Sequence, residues 1–309
     1  MASPVADTYS APSGATLYAG RTSGVPAWVE GLQTRRWVKL GNGLKAIDPR
    51  WDPAINPLYT ADGSVKPPWG ISNWNIEGIF AYSGGGMNPD GTTFYQWGGG
   101  HGDSGNNGVY ALDLHLSTPT WRHDRKPAGS IGNWDGANAL GLDGQDLVSD
   151  LYYNGEPRSA HTYNGVVIAE GRMWCSQGYK AGAGGVGGQT LFGYNLTTRA
   201  WDVASPMIAA GVYTQDMCYI PPRRTLMTVG KGNAVMGVYS IPGNSWSETA
   251  AYTNTSSKTR LVYIPTLDVM VGLNAGVGSG FFVHDFGRTP NGGNELRPAL
   301  VGGGNLFDG

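Results

Sequence analysis

The chain has 309 residues, a formal net charge of -2 and only 14% charged residues, with 50 glycines, 16 tyrosines and 11 tryptophans. This balance carries no electrostatic footprint for DNA or RNA, and no basic run longer than Arg35-Arg36 or Arg223-Arg224 marks a charged membrane surface. Glutamate is confined to Glu30, Glu77, Glu156, Glu170, Glu248 and Glu295. A chain so poor in helix formers and so rich in glycine and aromatics is expected to be all-β, with short strands and tight turns.

In chain order, residues 1-33 are rich in Ser, Pro, Gly and Ala and read as an extended N-terminal arm. They show neither the basic nor the apolar region of a signal peptide, so no leader is expected, and no apolar run approaches the ~20 residues of a membrane span. Residues 34-40, around Trp37, read as a lone strand. Residues 41-75 carry Pro and Trp without a period and read as an irregular segment that either pads the side of the fold or docks on another subunit. Trp28, Trp51, Trp69 and Trp74 are the candidate assembly residues of this arm and segment, because exposed aromatics are enriched at interfaces.

From residue 76 onward the chain repeats itself. Four segments, 76-124, 158-203, 207-249 and 258-288, share one order of features. A strand ends near a tyrosine (Tyr82, Tyr163, Tyr219, Tyr263). A second apolar strand runs into glycine (Gly98, Gly178, Gly230, Gly272). A Gly-rich loop leads to a third strand (109-114, 191-196, 236-241, 281-286). A fourth strand carries a tryptophan (Trp121, Trp201, Trp246). Four short antiparallel strands per repeat is the pattern of a β-propeller blade.

The glycine run, the aromatic-Asp third strand and the terminal tryptophan resemble kelch repeats, and the arrangement is similar to the central propeller of the galactose oxidase family. WGGGHGD…NGVYALDL…W is the best match. The resemblance covers roughly residues 75-288 and implies a small propeller of four to five blades; it speaks to fold, not activity. The fourth repeat lacks a tryptophan strand, since FGRTPNGGNELRP follows Asp285. An open ring leaves a sheet edge exposed. Residues 34-40 are therefore expected to close it as the last blade's fourth strand. Residues 289-309 form a C-terminal tail, and 41-75 or 289-309 has room for a fifth blade.

The stretch YQWGGGHGDSGNNGVY holds several chemical motifs. Gly100-x-Gly102-x-x-Gly105 matches a dinucleotide fingerprint, but a strand-like GVYALDL follows where a helix is required. Gly102-Asp103-Ser104-Gly105 is similar to serine-hydrolase blocks, yet no histidine stands where the base of those families lies. The copper chemistry of galactose oxidase is not carried over either, since Cys175 and Cys218 fall in predicted strands. Two buried thiols are expected there, with a disulfide as the alternative.

Kelch topology aims the loop between second and third strands at the same face as the entry to the next blade. That places His101, Asp103 and Asn106 near Arg158 and His161, with Trp134, Tyr152, Tyr153 and Tyr179 able to stack on sugar rings. Two readings stand side by side. Asp103 and Asn106 cap turns for backbone reasons, or the group forms a binding face. His115 and His284 read as structural or surface residues. No metal or cofactor is expected. The expected function is a non-catalytic structural or recognition propeller in a virion, such as a phage tail or appendage, bound to other structural proteins, to itself or to a surface glycan. The alternative is a carbohydrate-active hydrolase or lyase working from His101, Asp103, Arg158 and His161, in the cytoplasm or exported without a recognisable signal.

Overall fold

The computed structural model describes residues 83–99, 106–127, 155–177, 190–206, 213–231, 236–249, 259–274, 280–287 and 295–296, with 47, 80, 150, 151 and 188 besides. They are almost wholly strand and turn. Four antiparallel sheets of four strands follow one another along the chain. The first holds β1 (Gly85–Met87), β2 (Thr93–Gln96), β3 (Val109–Asp113) and β4 (Thr120–Arg125). The second holds β5 (Val166–Ala169), β6 (Arg172–Ser176), β7 (Thr190–Asn195) and β8 (Ala200–Pro206). The third holds β9 (Tyr213–Ile220), β10 (Thr225–Lys231), β11 (Met236–Ser240) and β12 (Ser245–Thr249). The fourth holds β13 (Thr259–Ile264), β14 (Val269–Asn274), β15 (Gly280–Asp285) and β16 (Glu295–Leu296). Strand order in each sheet is sequence order, so every link is a hairpin.

The strands alternate, and the alternation sets the packing. In β3, Val109 and Ala111 face the second sheet, where they meet Val166, Met173, Cys175 and Tyr194. Tyr110 points the other way, toward Ile47, Phe80 and Trp121. The second sheet packs its other face on the third through Trp174, Leu191, Leu226 and Tyr239. The third packs on the fourth through Ile220, Met227, Leu261, Met270 and Phe286. The sheets are thus stacked face to face in chain order. Their first strands lie side by side, β1 against β5, β5 against β9, and β9 against β13.

Ion pairs recur at the turn between first and second strands. Glu170, with φ 49°, accepts from Arg224 of the third sheet at 2.6 Å and from the Tyr219 hydroxyl at 2.9 Å. Asp268, with φ 50°, pairs with Arg223 at 2.7 Å and accepts from the Tyr263 hydroxyl at 2.8 Å. Both acids reach the third sheet, Glu170 from the second and Asp268 from the fourth, so Arg223 and Arg224 of one turn serve the two seams on either side.

Several expectations meet the structure directly. Trp121, Trp201 and Trp246 stand on β4, β8 and β12, the fourth strands of their sheets. Cys175 and Cys218 are free, buried thiols on strands. Two points differ. Tyr219 and Tyr263 lie within their first strands, but β5 begins only after Tyr163, and Tyr82 lies outside the described residues. The cause at Tyr163 is local: its φ of 48° is left-handed, so no strand runs through it. The second difference lies in the last sheet. The place beside β15 expected for residues 34-40 is held by β16, with Val283 opposite Leu296 and His284 opposite Glu295. A hairpin closes a short loop and loses less chain entropy than recruiting the distant N-terminus. The segment 289-309 therefore supplies a strand, and the repeat region runs past residue 288. Residues 34-40 with Trp37, and the arm and segment residues Trp28, Trp51, Trp69 and Trp74, lie outside the described residues.

Candidate functional site

The polar groups of the fold gather where the chain enters the first strands. The approach to β5 is held from both sides. Arg158 N–H donates to the Asp150 carbonyl at 2.9 Å, and the Gln177 amide donates to the carbonyls of Asp150 and Arg158 at 3.0 and 2.9 Å. The Asn107 amide donates to the Pro157 carbonyl at 2.9 Å, and Trp97 Nε1 donates to the Asn107 carbonyl at 3.1 Å. The loop between β2 and β3 therefore meets the entry to the second sheet at Asn107 and Pro157.

Of the expected face residues, three are described. Asn106 is fully buried; its amide donates to the Tyr110 hydroxyl at 2.9 Å, and its carbonyl oxygen accepts from Gly108 N–H at 2.9 Å. Arg158 is fully buried. His161 is half-buried, with Nδ1 3.2 Å from the Tyr163 hydroxyl and the two rings edge to face at 5.5 Å. His101, Asp103, Trp134, Tyr152, Tyr153 and Tyr179 lie outside the described residues. The glycine run has a backbone cause at its start, since Gly99 sits at φ 99°, where a side chain is strained.

Next to this entry, the first strands make contacts that cross the seams. Gly84 N–H donates to Thr162 Oγ1 at 2.8 Å. A Cβ on Gly84 would collide with the Tyr163 carbonyl oxygen, so the glycine permits the approach of the first two sheets. Asn164 and Asp216 form an isolated parallel bridge, and Met217 N–H donates to the Asn164 carbonyl at 3.2 Å. Asp216 is 1% exposed, and its carboxylate accepts from Arg260 of β13 at 3.1 Å. Burial pushes the Asp216 carboxyl up to about 7, with Arg260 pulling the other way.

A second charged cluster lies between the first two sheets. The Asp124 carboxylate is buried and accepts from the Tyr194 hydroxyl at 2.8 Å, pairs with Arg122, and lies 3.5 Å from Arg199. Burial first, and the Asp124 charge second, push the Tyr194 phenol up. Burial works against the Arg122 charge, but its pairs with Asp113 and Asp124 outweigh it and raise its pKa. His284 is buried on β15, 4.5 Å from the Phe286 ring, and is pushed down by burial and then by the Arg223 charge.

Sequence reasoning passes over Asp216 and Arg260. The signal is in the repeat itself, since each stands three residues before its tyrosine, Tyr219 and Tyr263. Opposite charges at one repeat position mark a contact between neighbouring repeats. Among the described residues, no group of three or more His, Cys, Asp or Glu side chains converges as metal ligands. No protein-family model and no curated protein matches the chain. What defines it is an all-β fold of four face-stacked antiparallel sheets.

Proposed function

We propose that the chain is a small kelch-like β-propeller, its four sheets serving as blades, and that it works as a recognition or assembly module of a larger particle. The observation that carries the fold is the parallel Asn164–Asp216 bridge between the leading edges of two successive sheets. Blades around a common axis stack face to face and bring their first strands together, as β1, β5, β9 and β13 are.

Binding is preferred to catalysis because the described polar groups of the seams are engaged with each other. Asp216 lies beneath Arg260, Thr162 holds Gly84, and Asn106 is tied to Tyr110. The Gly-rich segments between second and third strands differ in length from repeat to repeat while the strands keep their order, which suits partner recognition. A virion tail or appendage is the setting that the Gly-rich composition supports, with other structural proteins or a surface glycan as partner. His101, Asp103, Trp134 and Tyr179 are its contact residues. A glycan array and sedimentation of the full chain test the reading, with Tyr179→Ala expected to weaken a captured glycan roughly tenfold. A monomer that retains no glycan and is missing from purified particles would overturn it.

A further inference from the structure

The four sheets point the same way. Gly84 lies against Thr162 and Gly86 against Ile168, while Asn164 and Asp216 bridge in parallel. Asp216 meets Arg260 near the start of β9 and β13, and Arg223 meets Asp268 beyond their ends. The first strands therefore run parallel, and the turns that follow them gather at one end of the stack. Antiparallel order brings the turns between third and fourth strands to that same end. It sends the Gly-rich segments between second and third strands to the other.

The turn end is where apolar side chains stand exposed. Among the described residues the exposed large hydrophobics are Met87, Leu116, Val262 and Leu267, and all but Val262 sit at this end. Leu267 is 67% exposed and Met87 43%. Pro89, Pro221, Pro222 and Pro265 are exposed beside them. Hairpin turns are ordinarily polar, and clustered apolar exposure marks a contact surface. The surface is also rigid. The first turn is closed by Gly91 N–H donating to the Asn88 carbonyl at 2.9 Å, the third by Arg224 N–H to Pro221 at 3.1 Å, and the fourth by Leu267 N–H to Ile264 at 3.2 Å. Arg223 and Arg224 tie the third turn to both neighbours. A preordered surface loses little entropy on binding.

We infer that this end pairs with the same end of a second copy of the chain, across a two-fold axis between the second and third turns. The order of the turns selects that occupant. The first and fourth are apolar, with Met87 and Pro89 on one and Pro265 and Leu267 on the other. The second carries Glu170, and the third carries Arg223 and Arg224. Exchanging first with fourth and second with third sets apolar on apolar and acid on arginine. That is the self-complementarity an isologous dimer requires. Asp90 and Asp268, the acids of the outer turns, are engaged within the chain by Thr92 and Arg223. The exposed residues of both sets of turns are as numerous as the roughly 20–30 that one side of a stable dimer uses. The dimer needs only the parallel stacking of the sheets, and it adds an attachment end opposite the loops of the recognition reading.

Sedimentation equilibrium of the full chain is expected to show a dimer. Met87→Asp and Leu267→Asp, both at exposed turn positions, are each expected to weaken it roughly tenfold or more. Val262→Asp, exposed on a sheet face instead, is expected to leave it unchanged. A monomer at every concentration overturns the inference, as does a dimer lost in Val262→Asp and kept in the turn variants. A wild-type monomer that still captures glycan removes the dimer and leaves the recognition reading. Disulfide trapping tests the axis. Met87→Cys chains mixed with Leu267→Cys chains are expected to crosslink, and each kind alone far less, because Cys175 and Cys218 are buried and take no part. Crosslinks only between like chains, or none at all, overturn the pairing.

Discussion

Asp216 and Arg260 join two sheets that are far apart in sequence. The carboxylate on β9 is buried, the guanidinium on β13 is half in solvent, and they meet at 3.1 Å. Asp216 also sits in the parallel bridge to Asn164, so one residue touches three successive sheets. Its energetics follow from burial. The folded carboxyl titrates at about 7, far above the ~3.9 of an unfolded aspartate.

The sign follows directly. Between those two values the native state holds the proton more tightly than the unfolded chain, so this group's stabilising contribution is full below about 4 and is lost as the pH rises toward about 7. Asp216→Asn, which cannot ionise, is expected to gain melting temperature relative to wild type as the pH is raised from 4 to 8. Thermal melts at five pH values check this. A difference that stays flat with pH would contradict it.

Tyr194 and Asp124 form the corresponding buried contact between the first two sheets. Removing the hydroxyl in Tyr194→Phe is expected to cost about 1–2 kcal/mol, because Asp124 keeps Arg122. Asp124→Ala is expected to cost about 3 kcal/mol, because it leaves the Tyr194 phenol without its acceptor and Arg122 with Asp113 alone. Urea unfolding of the two variants should give this order, and equal costs would refute the assignment.

Gly84 is the point of closest approach between the first two sheets. Gly84→Ala drives a methyl into the Tyr163 carbonyl and is expected to destabilise by about 1–3 kcal/mol. Gly91 has a left-handed φ of 71° but open space around it, so Gly91→Ala should cost only the ~1 kcal/mol of backbone strain. Denaturation midpoints that rank Gly91→Ala as the worse variant would show that the two sheets are not this close.

Cys175 and Cys218 are free and buried, and burial raises both thiols, Cys218 to about 11. Neither should react with a thiol reagent in the native protein at pH 8, and both should react in full on unfolding in urea. Rapid native labelling of either would place it at the surface.

The core periodicity was legible in the sequence. The third strands of all four repeats, the second strands running into glycine, and the tryptophans on β4, β8 and β12 follow from alternation and spacing, which are local properties of the chain. The entries to the first strands were harder to read. Tyr163 and Tyr219 look equivalent in the repeat, yet one sits in a left-handed turn and the other inside β9, because the segment before β5 is held by Asn107, Asp150 and Gln177 from elsewhere in the fold. Of the candidate face, Asn106 and Arg158 carried the residue types of a binding site, but alternation does not reveal that both are fully enclosed.

By itself, then, the sequence determined the all-β class, the four-strand repeat, the order of strands within each sheet and the burial of both cysteines. Tertiary structure alone decided which faces meet, that β16 lies beside β15, and that Asp216 is sealed beneath Arg260. The reason is physical. Hydrophobic period and turn chemistry act over a few residues, whereas burial of a charge and the choice of an edge partner depend on which distant strands the packed sheets bring together.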